Sequence, residues 1–130
     1  NYSNKSNSGV FSTWGKNKFS YAGGTWTEDG NIKFRSRHLG SFTILKDSIP
    51  PNIVPIRIGK NELRFVIRDA LSGIGSYDAY VNNEWLLMKY DAKYDVIWAE
   101  PLEKNRDFSG TIRLEVVDNL GNQNIYTTKL

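Results

Sequence analysis

Apolar side chains recur at every second position over much of this chain, and short polar turns cut the alternation at close intervals. A period of two belongs to a strand with one buried face, because successive side chains point to opposite sides of the pleat. Leu63, Phe65 and Ile67 share one side, with Arg64 and Arg68 on the other. Ile112, Leu114 and Val116 stand opposite Arg113 and Glu115 in the same way. The longest stretch without Gly or Pro, residues 76–100, is rich in Tyr, Val, Trp and Ile. Those residues suit a pleated, half-buried surface better than a helix. The chain reads as all-β.

Four runs in the N-terminal third, at 10–14, 18–22, 31–35 and 41–45, read as a short antiparallel β-meander. Asn17, Gly23-Gly24 and Asp29-Gly30 mark its turns, and Asp-Gly is a strong hairpin signal. Pro50 and Pro51 then remove two backbone donors and hold φ near −65°, so that stretch is extended but cannot sit inside a sheet. Seven more runs follow, at 54–58, 62–68, 76–81, 85–90, 95–99, 111–117 and 124–129. Seven short strands joined by turns is the count of an immunoglobulin or fibronectin-III-like β-sandwich. Val54, Ile56 and Ile58 are expected to share one side of their strand, Trp85 and Trp98 to lie in the core, and a tight hairpin to form at Asn82-Asn83-Glu84. Residues 47–130 are therefore assigned to the sandwich. Residues 1–46 form the meander, either as a small unit or as the end of a preceding β domain.

The polar corners have a physical logic. Asp69 is placed to accept N–H bonds from residues two and three ahead, and Ser72 to do so more weakly. Gly73 and Gly121 permit a positive φ that a Cβ resists. Asp118, Asn119 and Asn122 repeat the theme between the last two strands. Asp47, Pro50, Pro51, Asp69, Ser72, Gly73, Asp118, Gly121 and Asn122 are thus the expected turn-forming residues.

These corners carry a resemblance. The segments 47–53, 69–74 and 116–122 resemble those of bacterial Ig-like modules. Together with the hairpin block 76–91 and the strand 35–45, they resemble the C-terminal region of lysostaphin-type zinc endopeptidases, which cleave peptidoglycan. The resemblance spans about residues 30–130. It implies an exported protein, periplasmic or attached to the cell envelope, with an upstream domain of the same polypeptide and peptidoglycan or an envelope glycan as partners. That family holds zinc through His-x-x-x-Asp and His-x-His, whereas this chain has one histidine, His38, and neither motif. A catalytic zinc takes three protein ligands. The resemblance thus implies a catalytic domain outside this chain, and an accessory, non-catalytic role for these residues. The chain starts at Asn1 without Met, which fits a piece of a longer protein.

Other chemistry is weakly signalled. The absence of cysteine excludes disulfides, thiolate metal sites and thiol nucleophiles. No apolar stretch approaches the roughly 18–20 residues of a membrane helix. The net charge of +3 is small, and the densest basic run, 33–38, reads as a solvated strand face rather than a nucleic-acid footprint. Asp91 with Asp95, and Glu100 with Glu103, read as turn formers rather than a glycosidase pair. Asp69, Asp118, Asn119 and Asn122 are the candidate Ca²⁺ ligands if one end of the sandwich gathers them, since Ca²⁺ takes six to eight oxygens. Turn hydrogen bonding explains the same residues, and no cofactor is required. Trp26, Tyr90 and Tyr94 are the candidate ligand surface, which keeps a carbohydrate-binding module open as an alternative. A structural spacer or adhesin-type repeat is the third reading.

Overall fold

A computed structural model describes residues 6–103 and 105–130. Among the described residues the regular structure is all strand: β1 (Ser8–Thr13), β2 (Phe19–Gly23), β3 (Thr25–Trp26), β4 (Ile32–Lys33), β5 (Ser41–Lys46), β6 (Asn52–Ile58), β7 (Leu63–Arg68), β8 (Ile74–Val81), β9 (Glu84–Leu86), β10 (Lys89–Asp91), β11 (Val96–Ala99), β12 (Thr111–Asp118) and β13 (Gln123–Lys129). No helix among them is long and apolar enough to cross a membrane. The start of the polar N-terminal stretch, residues 1–5, lies outside the described residues.

From β6 onward the chain forms a β-sandwich of two antiparallel sheets, ordered β10-β11-β7-β6 and β13-β12-β8-β9. That strand order is the immunoglobulin arrangement, with the middle strands of each sheet facing across the core. The alternation read from sequence supplies that core. Leu63, Phe65 and Ile67 from β7, Ile97 from β11, and Ile112, Leu114 and Val116 from β12 are all buried. Met88 and Phe108 join the same cluster, and Phe65 meets Tyr126 at 5.7 Å between ring centroids. Arg64 and Arg68 stand on the outer face, where Arg64 pairs with Glu62 at 2.8 Å and Arg68 with Asp95 at 3.3 Å.

Several expectations are corrected. Val54 and Ile56 point outward, and Ile53 and Ile58 are the β6 residues packed on the core. A bulge between Pro55 and Arg57 shifts the register against β7. An extra residue reverses the phase of everything beyond it. The run 85–90 is two strands, because the chain leaves one sheet after β9 and enters the other at β10, with Met88 buried in the crossing. The sandwich thus has eight strands rather than seven. Trp85 lies on the surface, 59% exposed. Its direction follows from the two-residue turn Asn82-Asn83, whose positive φ values of 50° and 65° pair Tyr80 with Trp85 and Ala79 with Leu86. Ala79 points into the core, so Leu86 does too, and Trp85 must point away. Trp98 is half-buried on the outer face, its ring 5.3 Å from the Arg64 guanidinium.

The N-terminal third forms a three-stranded sheet, β2-β1-β5, with the ribbon β3-β4 beside it. The expected strand 31–35 is reduced to β4, and Phe34 packs at a tilt against Phe42, 4.9 Å between ring centroids. Val10 and Phe11 are buried in succession although the β1–β5 register is unbroken there, so they lie on opposite faces and both faces of β1 are covered. A Cβ on Gly24 would meet Ile32 and Val10, so the ribbon packs closely over Val10. Phe11 packs edge-on against Tyr21 at 5.5 Å.

Candidate functional site

Three carboxylates converge where the meander meets one end of the sandwich. Asp47 follows β5, Asp69 follows β7, and Asp118 ends β12. One oxygen from each lies within 4.8 Å of the others. Each Asp shapes its own turn. Asp69 Oδ2 accepts from the N–H groups of Leu71, Ser72 and Gly73 at 3.3, 2.9 and 3.0 Å. Asp118 Oδ1 accepts from Leu120 and Asn122, both at 2.9 Å. Asp47 Oδ1 accepts from Ile49 at 3.1 Å. Gly73 and Gly121 take φ values of 81° and 89°, as the turns require.

Long-range bonds then knit the three turns together. The Ser72 hydroxyl donates to Asp47 Oδ2 at 2.7 Å. Asn122 Nδ2 donates to the Asp47 carbonyl at 2.6 Å and to Asp118 Oδ2 at 2.8 Å. Its Oδ1 accepts from Asn7 Nδ2 at 2.8 Å. Asn119 Nδ2 donates to the Ser72 carbonyl at 2.8 Å. The Asp47 N–H donates to the Asn7 carbonyl at 2.8 Å. Asp47, Ser72, Asp118 and Asn122 are all buried.

The electrostatics are uneven. Burial, then the charges of Asp47 and Asp118, push the Asp69 carboxyl above its ordinary value, against the pull of the Gly73 and Leu71 N–H groups. Burial pushes Asp47 up as well, but the Ser72 hydroxyl and the Ile49 and Ser72 N–H groups outweigh it and hold that carboxyl low. The corner therefore favours a proton on Asp69 and a charge on Asp47. The Asp69 contribution to stability is full below the unfolded value near 3.8 and is lost as pH rises through its raised folded value. The Asp47 contribution runs the other way, present above 3.8 and lost as pH falls through its lowered value. Asp69→Asn keeps an oxygen for the three N–H donors and removes a charge. Its melting temperature relative to the parent is expected to rise between pH 3 and pH 7, as read by circular dichroism. A parent melting temperature that climbs with Ca²⁺, and a variant that does not respond, would instead mark the corner as a cation site.

No protein-family model, curated protein or solved structure matches the chain. What the corner does is therefore read from its own geometry. Of the four Ca²⁺ candidates, Asp69 and Asp118 supply carboxylates to the convergence, while Asn119 and Asn122 commit their amide N–H groups to Ser72, Asp47 and Asp118. Asp47 is the third carboxylate, and the candidate set omitted it. It lies 25 residues from Ser72 and 75 from Asn122 in the chain, so no local signal places it there.

The candidate ligand aromatics are dispersed. Trp26 is half-buried in the meander, and its Nε1 donates to the Ser8 carbonyl at 3.3 Å. Tyr90 sits at the edge of the sandwich against Tyr77, 5.6 Å between centroids. Tyr94 is exposed in the β10–β11 turn, with Lys93 5.3 Å from its ring. A different aromatic row runs across the outer face of β9, β8 and β12. Trp85 and Tyr80 are cross-strand partners, Tyr80 pairs with Arg113, and that guanidinium lies 4.3 Å from the Tyr80 ring. Trp85 Nε1 donates to Asp78 Oδ1 at 3.1 Å, and Arg113 Nη1 to Asn83 Oδ1 at 2.8 Å. Once the Asn82-Asn83 turn is taken as a two-residue hairpin, alternation alone places Trp85 outward. His38 lies in the exposed β4–β5 connection, where its N–H donates to the Ser36 hydroxyl at 3.1 Å.

Proposed function

We propose that this chain is a non-catalytic accessory module of an exported bacterial cell-wall metallopeptidase, which positions the catalytic domain of the same polypeptide. The observation that carries the positioning role is the buried corner. Asn122 bonds the Asp47 carbonyl, the Asp118 carboxylate and the Asn7 side chain at once, so the meander cannot turn freely on the sandwich. Fully bonded buried polar networks fix one arrangement, since any other leaves a desolvated group unpaired. The peptidase parent rests on the resemblance of the corner segments and the 76–91 hairpin. Periplasmic or envelope location and a peptidoglycan partner come with that parent.

Incubated with purified peptidoglycan and Zn²⁺, the chain alone is expected to release no peptide fragments. Metal-dependent cleavage by the chain alone overturns the reading. Nitrogen-15 relaxation tests the positioning role separately. Residues 6–46 and 52–130 are expected to tumble with one correlation time, and two distinct times would remove it. The parent polypeptide is expected to carry His-x-x-x-Asp and His-x-His upstream.

A second reading, a carbohydrate-binding module, is supported by the Trp85–Tyr80–Arg113 row. An exposed indole, Trp85, beside hydrogen-bonding side chains suits the C–H face of a sugar ring. Trp85→Ala is expected to abolish any fluorescence response to neutral envelope glycans. A response that survives the substitution removes this site.

A further inference from the structure

The charge of this chain is divided unequally. Residues 1–46 hold seven Lys and Arg against two acids, Glu28 and Asp29, whereas residues 47–130 hold ten against twelve. The ion pairs found among the described residues all lie in the sandwich. Among the described residues, none of the meander's cations takes part in an ion pair. Two of them, Arg35 and Arg37, line a cleft of about 480 Å³ with Trp14, Tyr21, His38 and Phe42. None of the residues lining it is acidic. Its size falls in the range of small-molecule pockets, roughly 300–1,000 Å³.

The walls of the cleft are held in place. Trp14 is 61% exposed, yet its Nε1 donates to the Ser20 hydroxyl at 2.9 Å. An indole fixed at one edge and open to solvent is a stacking plate with little rotamer freedom left to lose. The Lys18 ammonium lies over one face of the Trp14 ring, 5.0 Å from its centroid, which leaves the other face to stack a ligand and adds positive charge beside it. Opposite, the Ser36 hydroxyl donates to the His38 carbonyl at 2.9 Å and accepts from the His38 N–H, which closes the turn that carries Arg37.

We infer that this cleft binds an acidic saccharide, with a sugar ring stacked on Trp14 and its carboxylates held by Arg35 and Arg37. A guanidinium presents a planar fork that matches a carboxylate with two parallel bonds. A flat indole takes the C–H face of a pyranose. The two together select a sugar that is also an anion. Nucleic acid fits less well, because affinity for a phosphate backbone grows with the number of phosphates neutralised and this cleft offers two arginines. The site is independent of the peptidase parent and lies on different strands from the Trp85 row.

The experiment is a tryptophan-fluorescence titration of the whole chain, with a nitrogen-15 spectrum locating the shifts. Four probes are compared: an oligogalacturonate, a neutral glucan of equal length, inorganic phosphate and oligo-dT. The oligogalacturonate is expected to saturate and to bind at least about tenfold more tightly than the neutral glucan, a factor equal to about 1.4 kcal/mol. Its affinity is expected to fall as salt shortens the screening length. Trp14→Ala and the double variant Arg35→Ala/Arg37→Ala are each expected to weaken it about tenfold or more. Arg35→Lys/Arg37→Lys is expected to recover part of the loss, and Leu102→Ala, at an exposed position outside the cleft, to leave the affinity unchanged. Equal binding of acidic and neutral sugars overturns the proposal, as does a response lost in Trp85→Ala but kept in Trp14→Ala. Tighter binding of oligo-dT assigns the cleft to nucleic acid, and full displacement by phosphate assigns it to a free oxyanion. Either result refutes the saccharide. The substituted side chains are exposed or line an open cleft, and an unchanged melting temperature is the check that each variant is folded.

Discussion

Asn122→Ala is expected to destabilise the chain by about 2–4 kcal/mol, because it strips partners from several buried groups at once. The amide donates to the Asp47 carbonyl and to Asp118 Oδ2, and accepts from Asn7. Alanine is too short to reach any of them. Leaving a buried acceptor without a donor costs about 1–3 kcal/mol, and more when the acceptor is charged. Asn122→Asp is expected to be worse at neutral pH. It keeps the shape, but sets a fourth carboxylate beside Asp47, Asp69 and Asp118 and removes both donated bonds. Acidification should recover part of that loss, since protonation removes the repulsion. Urea unfolding at pH 7 and pH 4 measures both effects. Hydrogen exchange adds a local reading, in which protection at the start of β1 should fall further than protection in β12. A loss below about 0.5 kcal/mol for Asn122→Ala, the size of an ordinary surface change, would show that the corner does not join the two sheet packages.

The second large effect lies in the sandwich core. Phe65→Ala should cost about 3–5 kcal/mol, the usual range for emptying a buried phenylalanine site. Phe65 is fully buried on β7, pairs with Ile97 across the sheet and touches the Tyr126 ring in the opposite layer. The outward neighbour Val66 provides the comparison. It is half-buried on the other face of the same strand, and Val66→Ala should cost less than half as much. Similar losses at the two positions would mean that the sheet faces are assigned the wrong way round.

Much of this contrast was legible in the residues. Leu63, Phe65, Ile67, Ile112, Leu114 and Val116 announce their side by simple alternation, because each lies in a strand with no inserted residue before it. The Asp69 and Asp118 turns were legible for the same local reason, since their donors lie two to four residues ahead. Val54 and Ile56 misled because one bulged residue changes the phase, and bulges leave no mark in composition. Trp85 misled because hydrophobicity suggests burial, whereas the Asn82-Asn83 turn determines direction. The crossing at Met88 was hidden because no Gly or Pro interrupts residues 85–90, although the two halves of that run belong to different sheets. The corner as a whole was out of reach, because Asp47, Ser72 and Asn122 meet only after both layers have stacked.

The rims of the sandwich bear on how the chain behaves at high concentration. Exposed strand margins invite other copies to pair along them. On one sheet, β6 carries Pro55 and a kink beside it, so a visiting strand finds a missing donor and a broken ladder. On the opposite sides, β9 and β10 span three residues each, too short to template much. Only β13, running from Gln123 to Lys129, offers an uninterrupted margin. Pairing of copies through the sandwich is therefore discouraged on three of its four borders, and where it occurs there it should begin along β13.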